Sequence, residues 1–214
     1  MAREANVTLP EDPSLLPAEA VFGMTVDRLG PIRAEEFERW IQGDENPLEL
    51  LEGWLLPMTP GTYSTGSVLG QLFSLLAPRV QEMGWSMSLD ARHRLPQPPD
   101  TVVFPDLVIH CVAEVPYVPG TETVARVPEI VVEILGRETA ARDRAPRGAK
   151  FLAYQMSGVQ EHYFAWPDGS DAAGFHLREG RFAAAAHEPD GFFASPILGA
   201  ALRLAPAALR ASGR

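Results

Sequence analysis

Three residues of this chain combine side-chain types that can do chemistry together. Asp106 follows Pro105, Glu133 lies inside the apolar run 130–135, and Lys150 is the only lysine among eighteen basic residues. Lysine offers a compact ammonium whose pKa responds to its surroundings, whereas arginine stays charged and binds as a rigid fork. Two carboxylates can hold a hard divalent cation, with carbonyl or water oxygens completing the coordination. The order of two acids and one amine therefore indicates a cation site with an amine beside it.

Glu133 needs a partner if the run that contains it forms a buried strand. An unpaired buried carboxylate costs several kcal/mol or takes up a proton. A metal ion or Lys150 can supply the compensating positive charge. A purely structural ion pair between Glu133 and Lys150 is therefore an alternative to a reactive site.

The hydrophobic pattern predicts the elements that position these residues. Apolar spacing predicts helices at residues 33–42, 67–81 (ended or kinked at Pro78) and 143–156, the last of which carries Lys150. Strands are predicted at 85–95, 102–112 (interrupted by Pro105-Asp106), 129–135 and 159–166, with a hairpin or a bent strand pair at 48–58 and a hairpin at 175–185. The fold class is therefore α/β, a mixed β-sheet flanked by helices with additional β-hairpins. Asp106 should begin one central strand, and Glu133 should lie on its neighbour.

Length and composition predict one intracellular domain. We divide the 214 residues into a flexible proline-rich arm at 1–24, a domain at 25–205 and a tail at 206–214. The single cysteine, Cys111, cannot form an internal disulfide, which fits a reducing cytoplasm. The first 23 residues are acidic and proline-rich, unlike a secretory signal, and no apolar run is long enough to span a membrane. We therefore expect a cytoplasmic protein without membrane contact.

Charge and motifs exclude several function classes. The net charge of −10 argues against broad binding to polyanions, although four arginines precede Lys150 between residues 137 and 147 and form a local basic stretch. The five histidines lack any close metal-binding spacing and are expected to be strand or surface residues. Ser64 lacks the first glycine of a GxSxG elbow, and neither GxGxxG nor GxxxxGK occurs. A serine hydrolase and a dinucleotide-binding or P-loop nucleotide-binding protein are therefore not supported.

A family resemblance rests on several stretches in a fixed order. They are 48–53 (LELLEG), 104–108 (FPDLV), 128–135 (PEIVVEIL), Lys150 with Tyr154, and 158–161 (GVQE). In this order they resemble the PD-(D/E)xK nuclease superfamily. Within it they are similar to the Uma-two family of putative restriction endonucleases, in which the lysine has moved from the third motif position, here Leu135, to the following helix. The resemblance spans roughly residues 25–204 and implies a restriction-endonuclease-like fold.

The resemblance also implies a reaction and a role for each site residue. Asp106 and Glu133 would hold Mg²⁺ or Mn²⁺ with the main-chain carbonyl of Ile134, and Lys150 would orient a water and stabilise charge on the scissile phosphate. The expected activity is metal-dependent endonucleolytic cleavage of DNA by a homodimer. The alternative is a nuclease-fold protein that has lost cleavage and acts as a nucleic-acid-binding or oligomeric interaction module. Glu52 is either an outer member of the site or a solvated hairpin residue.

Overall fold

A computed structural model describes most of the predicted domain. The described residues are 31–41, 48–57, 63–135, 148–166, 172–186, 193–199 and 203–204. The predicted arm at 1–24, the tail at 206–214, the four arginines between 137 and 147 and the predicted start of the Lys150 helix lie outside these residues. Where the predicted domain begins and ends therefore stays a prediction.

Three helices and twelve strands make up the described part of the chain. The helices are α1 (Ala34–Trp40), α2 (Tyr63–Glu82) and α3 (Ala149–Ser157). The strands are β1 (Leu48–Leu51), β2 (Trp54–Pro57), β3 (Ser86–Leu89), β4 (His93–Leu95), β5 (Thr101–Val103), β6 (Leu107–His110), β7 (Ile130–Ile134), β8 (Glu161–Ala165), β9 (Ala172–Arg178), β10 (Arg181–Ala184), β11 (Phe193–Ala194) and β12 (Arg203–Leu204).

The strands form two main sheets and one small ribbon. One sheet has the order β2-β1-β5-β4, the other has the order β10-β9-β8-β7-β6-β3, and β11 pairs with β12. Within the larger sheet β7 and β8 are parallel, and the other neighbouring strands are antiparallel. A parallel pair requires a crossover connection, and α3 lies in that connection. The predicted α/β class, a mixed sheet flanked by helices with additional hairpins, is confirmed.

Strand β7 divides its side chains between two helices. Ile130, Val132 and Ile134 pack with the buried face of α2, whereas Val131 packs with α3 and the smaller sheet. Alternate side chains of a strand point to opposite faces of the sheet. Glu133 therefore lies on the same face as Val131, directed toward α3.

Two predicted hairpins form with the turns that their sequences indicate. Glu52 and Gly53 connect β1 to β2, and Glu179 and Gly180 connect β9 to β10. In both turns the two central residues have positive φ, at 52° and 82° in the first and 51° and 76° in the second. Two-residue turns of this kind match the twist of the flanking strands.

Three predicted elements differ from the structure. The long helix begins at Tyr63 and continues through Pro78 to Glu82, because its buried apolar stripe packs on the large sheet on both sides of the proline. The predicted strand 85–95 is two strands, β3 and β4, which belong to different sheets and are separated by Asp90 at φ 48°. The predicted interruption of the strand 102–112 at Pro105-Asp106 is confirmed, but its two parts, β5 and β6, belong to different sheets. The hydrophobic pattern of a segment does not indicate which sheet the segment joins.

Glu161 anchors the segment 193–199 to the large sheet. Its buried carboxylate accepts hydrogen bonds from Tyr163 Oη at 2.9 Å, Ser195 Oγ at 2.5 Å and the main-chain N–H of Ile197 at 2.8 Å. Three donors from the described part of the chain thus satisfy this carboxylate.

Within the described residues, none of the helices combines the length and the hydrophobicity needed to cross a lipid bilayer.

Candidate active site

Asp106 lies where the chain passes from the smaller sheet to the larger one. Leu107 pairs with Val132, so the next step of the antiparallel register sets Asp106 opposite Glu133. The Oδ2 atom of Asp106 accepts a hydrogen bond from the main-chain N–H of Ile134 at 2.6 Å. The first two predicted site residues are therefore neighbours, Asp106 immediately before β6 and Glu133 on β7, with Ile134 beside them.

The surroundings of Asp106 favour its neutral form. Burial, with a smaller contribution from the charges of Asp90 and Glu49, raises the pKa of this carboxyl to about 6, although the Ile134 N–H and the Lys150 ammonium act to lower it. Each of these groups acts through its charge or dipole on the ionised carboxylate. The carboxyl therefore lies where an added cation would stabilise its charged form.

Lys150 contacts Glu133 inside the protein. Its Nζ atom is 2.9 Å from Oε1 of Glu133, and the hydroxyl of Tyr154 donates a hydrogen bond to the same oxygen at 2.8 Å. All three residues are buried. Lys150 and Tyr154 are four residues apart on α3, so both project from the same face of the helix. The structure thus brings Lys150 to Glu133 rather than directing it into solvent.

Glu49 is a further carboxylate at this site, and sequence reasoning did not assign it a role. Its Oε1 atom is 2.7 Å from Nζ of Lys150 and accepts a hydrogen bond from the main-chain N–H of Phe104, also at 2.7 Å. Glu49 is only 1 % exposed. Among the described residues, no group donates a hydrogen bond to its Oε2 atom. One ammonium therefore bridges two buried carboxylates that come from different sheets.

The signal for Glu49 was present in the sequence. All four residues of β1 are buried, and Glu49 is the one charged residue among three leucines. A lone carboxylate in a buried apolar strand needs a partner, and Glu49 shares this property with Glu133. Glu52, considered instead, is exposed in the β1–β2 turn, which fits the solvated interpretation.

The site carries an excess of negative charge. Glu49, Asp106 and Glu133 supply three carboxylates against the one ammonium of Lys150, an excess of two when all four are ionised. Asp90 adds another carboxyl nearby, and burial raises its pKa. One divalent cation has the charge needed to neutralise this excess.

The carboxylates at this site suit a hard cation that keeps several bound waters, rather than an ion enclosed by protein ligands alone. In the part of the chain that the structure describes, no three His, Cys, Asp or Glu side chains are grouped to enclose a metal ion. Mg²⁺ commonly binds through one or two carboxylates and keeps several waters. Asp106 and Glu133 are ligands of that type, and the charge excess has the corresponding sign and size. The residues present therefore fit Mg²⁺ or Mn²⁺ with water completing the shell.

One described histidine, His162, adjoins this site, where its ring packs edge-on against Tyr154 with the ring centroids 4.9 Å apart. His93, His110, His162 and His176 all lie in strands, and His187 lies outside the described residues. The Nε2 atoms of His93 and His110 are 3.0 Å apart, a hydrogen bond between two buried rings. The expectation of strand or surface positions is confirmed for the four histidines that the structure describes.

Comparison with known proteins identifies similar chains. A sequence model of the Uma2 family, described as "putative restriction endonuclease", matches residues 34–207. A crystal structure of a putative nuclease belonging to DUF820 from Anabaena variabilis ATCC 29413 is similar, with a TM-score of 0.66 and 18 % sequence identity. That match covers 84 % of this chain and 97 % of the other. No curated protein matches the sequence significantly.

Proposed function

We propose, from the premise that this chain belongs to the Uma2 family of putative restriction endonucleases, that it is an endonuclease which hydrolyses DNA phosphodiester bonds with Mg²⁺ or Mn²⁺. The observation that carries the proposal is the buried ammonium of Lys150, held between Glu49 and Glu133 on the same face as Asp106. The domain would act in the cytoplasm, and as a homodimer, since closed two-fold dimers are common and two sites could address both strands.

Asp106 and Glu133 would hold the metal, with the carbonyl of Ile134 as a further ligand. When bound, the metal would polarise the phosphoryl group and lower the pKa of a water. The excess of two negative charges around Lys150 supports this assignment. The N–H of Ile134 orients the Asp106 carboxylate by holding its Oδ2 atom.

Lys150 would stabilise the charge that develops on the phosphate. An ammonium in a water-poor site stabilises developing charge more strongly than it would in bulk water. Glu49, Glu133 and Tyr154 fix where the side chain of Lys150 lies, since its Nζ atom contacts both carboxylates and the tyrosine hydroxyl holds Glu133. A fixed position avoids reorganisation during the reaction.

The test is cleavage of plasmid and of single-stranded DNA by the purified protein, with and without Mg²⁺ or Mn²⁺. We expect metal-dependent cleavage that is lost in Asp106→Asn and in Lys150→Ala. The matched control is Glu179→Gln, an exposed carboxylate in the β9–β10 turn, which should cleave as wild type does. Absence of cleavage by the wild-type protein, or equal cleavage by Lys150→Ala, would refute the proposal.

The second candidate is a nuclease-fold protein that binds nucleic acid or other subunits without cleaving. The net charge of −10 favours it, because a strongly acidic protein attracts polyanions weakly. Calorimetric titration with Mn²⁺ separates the candidates. Binding that disappears in Asp106→Ala supports the enzyme, and absence of binding by the wild type supports the second candidate.

A further inference from the structure

An open cleft of about 540 Å³ adjoins the candidate active site. Its lining includes Asp90, Arg92, Phe104, Tyr117 and Glu122. Ligand sites in proteins commonly occupy about 300 to 1,000 Å³, so the cleft can hold a nucleotide-sized group.

Two residues connect the cleft to the proposed catalytic group. The main-chain N–H of Phe104 donates a hydrogen bond to Glu49 Oε1, the atom that also contacts Lys150, while Phe104 itself lines the cleft. The main-chain N–H of Asp90 donates a hydrogen bond to the carbonyl of Asp106 at 3.2 Å. A ligand in the cleft would therefore lie next to the proposed site of cleavage.

One wall of the cleft is an aromatic residue exposed to solvent. Tyr117 is 58 % exposed, although it lies in an ordered segment. Tyr117 forms an isolated antiparallel bridge with Val124. The N–H of Val124 donates to the carbonyl of Arg92, just before β4, and the N–H of Arg94, on β4, donates to the carbonyl of Val124. The main-chain carbonyl of buried Thr123 accepts a further hydrogen bond from the N–H of Val118 at 2.7 Å. The main chain thus holds Tyr117 at the cleft, and within the described part of the chain more than half of the residue's surface is open to a ligand.

Arg92 supplies the positive charge of the cleft. Its guanidinium carbon lies 5.9 Å from the centroid of the Phe104 ring, which is within cation–π distance. It forms no ion pair with any residue that the structure describes. A guanidinium without a carboxylate partner at a cleft is suited to bind a phosphate.

The acidic residues of the cleft favour a base over a second phosphate. Asp90 and Glu122 present carboxylates, which repel phosphates but accept hydrogen bonds from the amino groups of bases. An aromatic face, one arginine and carboxylate acceptors together match a nucleotide whose base is unpaired. In duplex DNA each base is stacked on its neighbours, so the face of a base could not reach Tyr117.

We propose that this cleft binds an unpaired nucleotide of single-stranded DNA beside the scissile phosphate, with the base stacked on Tyr117 and the adjoining phosphate on Arg92. The identity of the ligand rests on the proposed nuclease function. The protein then prefers single-stranded or locally opened DNA to a closed duplex.

The test measures binding separately from cleavage. Fluorescence anisotropy of a labelled single-stranded oligonucleotide and of its matched duplex is recorded with full-length protein, without Mg²⁺ or Mn²⁺ so that the strands stay intact. We expect tighter binding of the single strand. Tyr117→Ala should weaken that binding by about 5- to 150-fold, the range for losing one stacked base, whereas Tyr117→Phe should retain it.

Matched variants control for surface effects. Phe73 is an exposed aromatic residue on α2 that does not line the cleft, so Phe73→Ala should bind as wild type does. Arg92→Gln should weaken binding and reduce its salt dependence, while Arg181→Gln, an exposed arginine on β10, should change neither. Circular dichroism confirms that each variant is folded.

Two outcomes would overturn the inference. One is equal binding of single strand and duplex, and the other is an equal effect of Tyr117→Ala and Phe73→Ala. Cleavage assays distinguish failure of the cleft assignment from failure of the proposed nuclease function. If the protein cleaves DNA and Tyr117→Ala cleaves and binds as wild type does, the cleft assignment fails and the nuclease stands. If single-strand binding requires Tyr117 but no DNA is cleaved, the nuclease fails and the binding cleft stands.

Discussion

Replacing Lys150 by methionine removes one positive charge from the centre of a buried network while keeping a side chain of similar length. The Nζ atom of Lys150 lies 2.7 Å from Glu49 Oε1 and 2.9 Å from Glu133 Oε1. The three side chains are 6 %, 0 % and 7 % exposed, respectively. Lys150→Met therefore leaves two buried carboxylates facing each other without the ammonium that separates them.

The size of the effect follows from these distances. At an effective dielectric constant of about 20, each contact contributes about 6 kcal/mol of attraction. Desolvation of the three charged groups, at several kcal/mol per ion, offsets most of that attraction. Removing one partner of a buried pair usually costs about 3–5 kcal/mol, because the remaining charge stays buried. We expect Lys150→Met to lower the free energy of unfolding by about that amount.

A second substitution distinguishes a charge effect from lost packing. In the double variant Glu49→Leu with Lys150→Met, one carboxylate leaves together with the ammonium. Replacement of a buried ion pair by apolar side chains is often close to neutral. We therefore expect the double variant to be more stable than Lys150→Met alone. The control is Arg33→Met, in a pair with Asp100 at 3.8 Å where the arginine is 76 % exposed, and it should change stability by less than about 1 kcal/mol.

Urea denaturation followed by circular dichroism measures these free energies, and DNA cleavage is measured on the same preparations. A loss below about 1 kcal/mol in Lys150→Met would refute the reasoning about the buried network. Loss of stability with unchanged cleavage would make the contact a structural ion pair. A double variant that is stable and folded but inactive would separate the functional role of Lys150 from its structural one.

Three further outcomes follow from buried groups. Both ring nitrogens of buried His162 lack hydrogen-bond partners among the described residues, so His162→Phe should raise the free energy of unfolding by about 1–3 kcal/mol in urea titration. Burial lowers the pKa of His93 and His110 to about 4 and of His162 to about 3, from 6.5, so the unfolded chain takes up protons first as the pH falls. Stability should therefore fall below about pH 6.5, partly opposed by the raised pKa of Asp106; stability that rises toward pH 5 in the same titration would contradict this. Gly53→Ala should destabilise by about 2 kcal/mol or more by thermal unfolding, because Gly53 has φ 82° and an added Cβ would lie 2.4 Å from a proline side chain.

Several features could be predicted because they depend on local chemistry. Glu133 interrupts a run of apolar residues, and a buried carboxylate requires a partner wherever the run lies in the fold. The Glu52-Gly53 and Glu179-Gly180 turns could be predicted because each contains a glycine, which suits positive φ, between two strand-like segments. Gly158, with φ 88°, ends α3 as predicted. These interpretations required no knowledge of distant contacts.

Other features depend on contacts between segments far apart in the chain. Glu49 reaches the site because β1 pairs with β5, which sets its carboxylate beside the N–H of Phe104, 55 residues later. The chain leaves the larger sheet at Asp90 and joins the smaller one at β4. The alternation of side chains that predicts a strand is the same on both sides of Asp90, so it does not reveal this change of sheet. The cleft likewise requires Tyr117, Arg92 and Phe104 to meet from three separate segments.

By itself the sequence determined which residues could do chemistry and which segments carried them. Residue type sets the intrinsic pKa, the charge and the cost of burying each group, and the fold only shifts these starting values. Only the tertiary structure decided which carboxylates share Lys150, since that depends on strand pairing and on the crossover that carries α3 over the sheet. Pairing between distant strands is chosen by the packing of the whole core, and no short stretch of sequence contains that information.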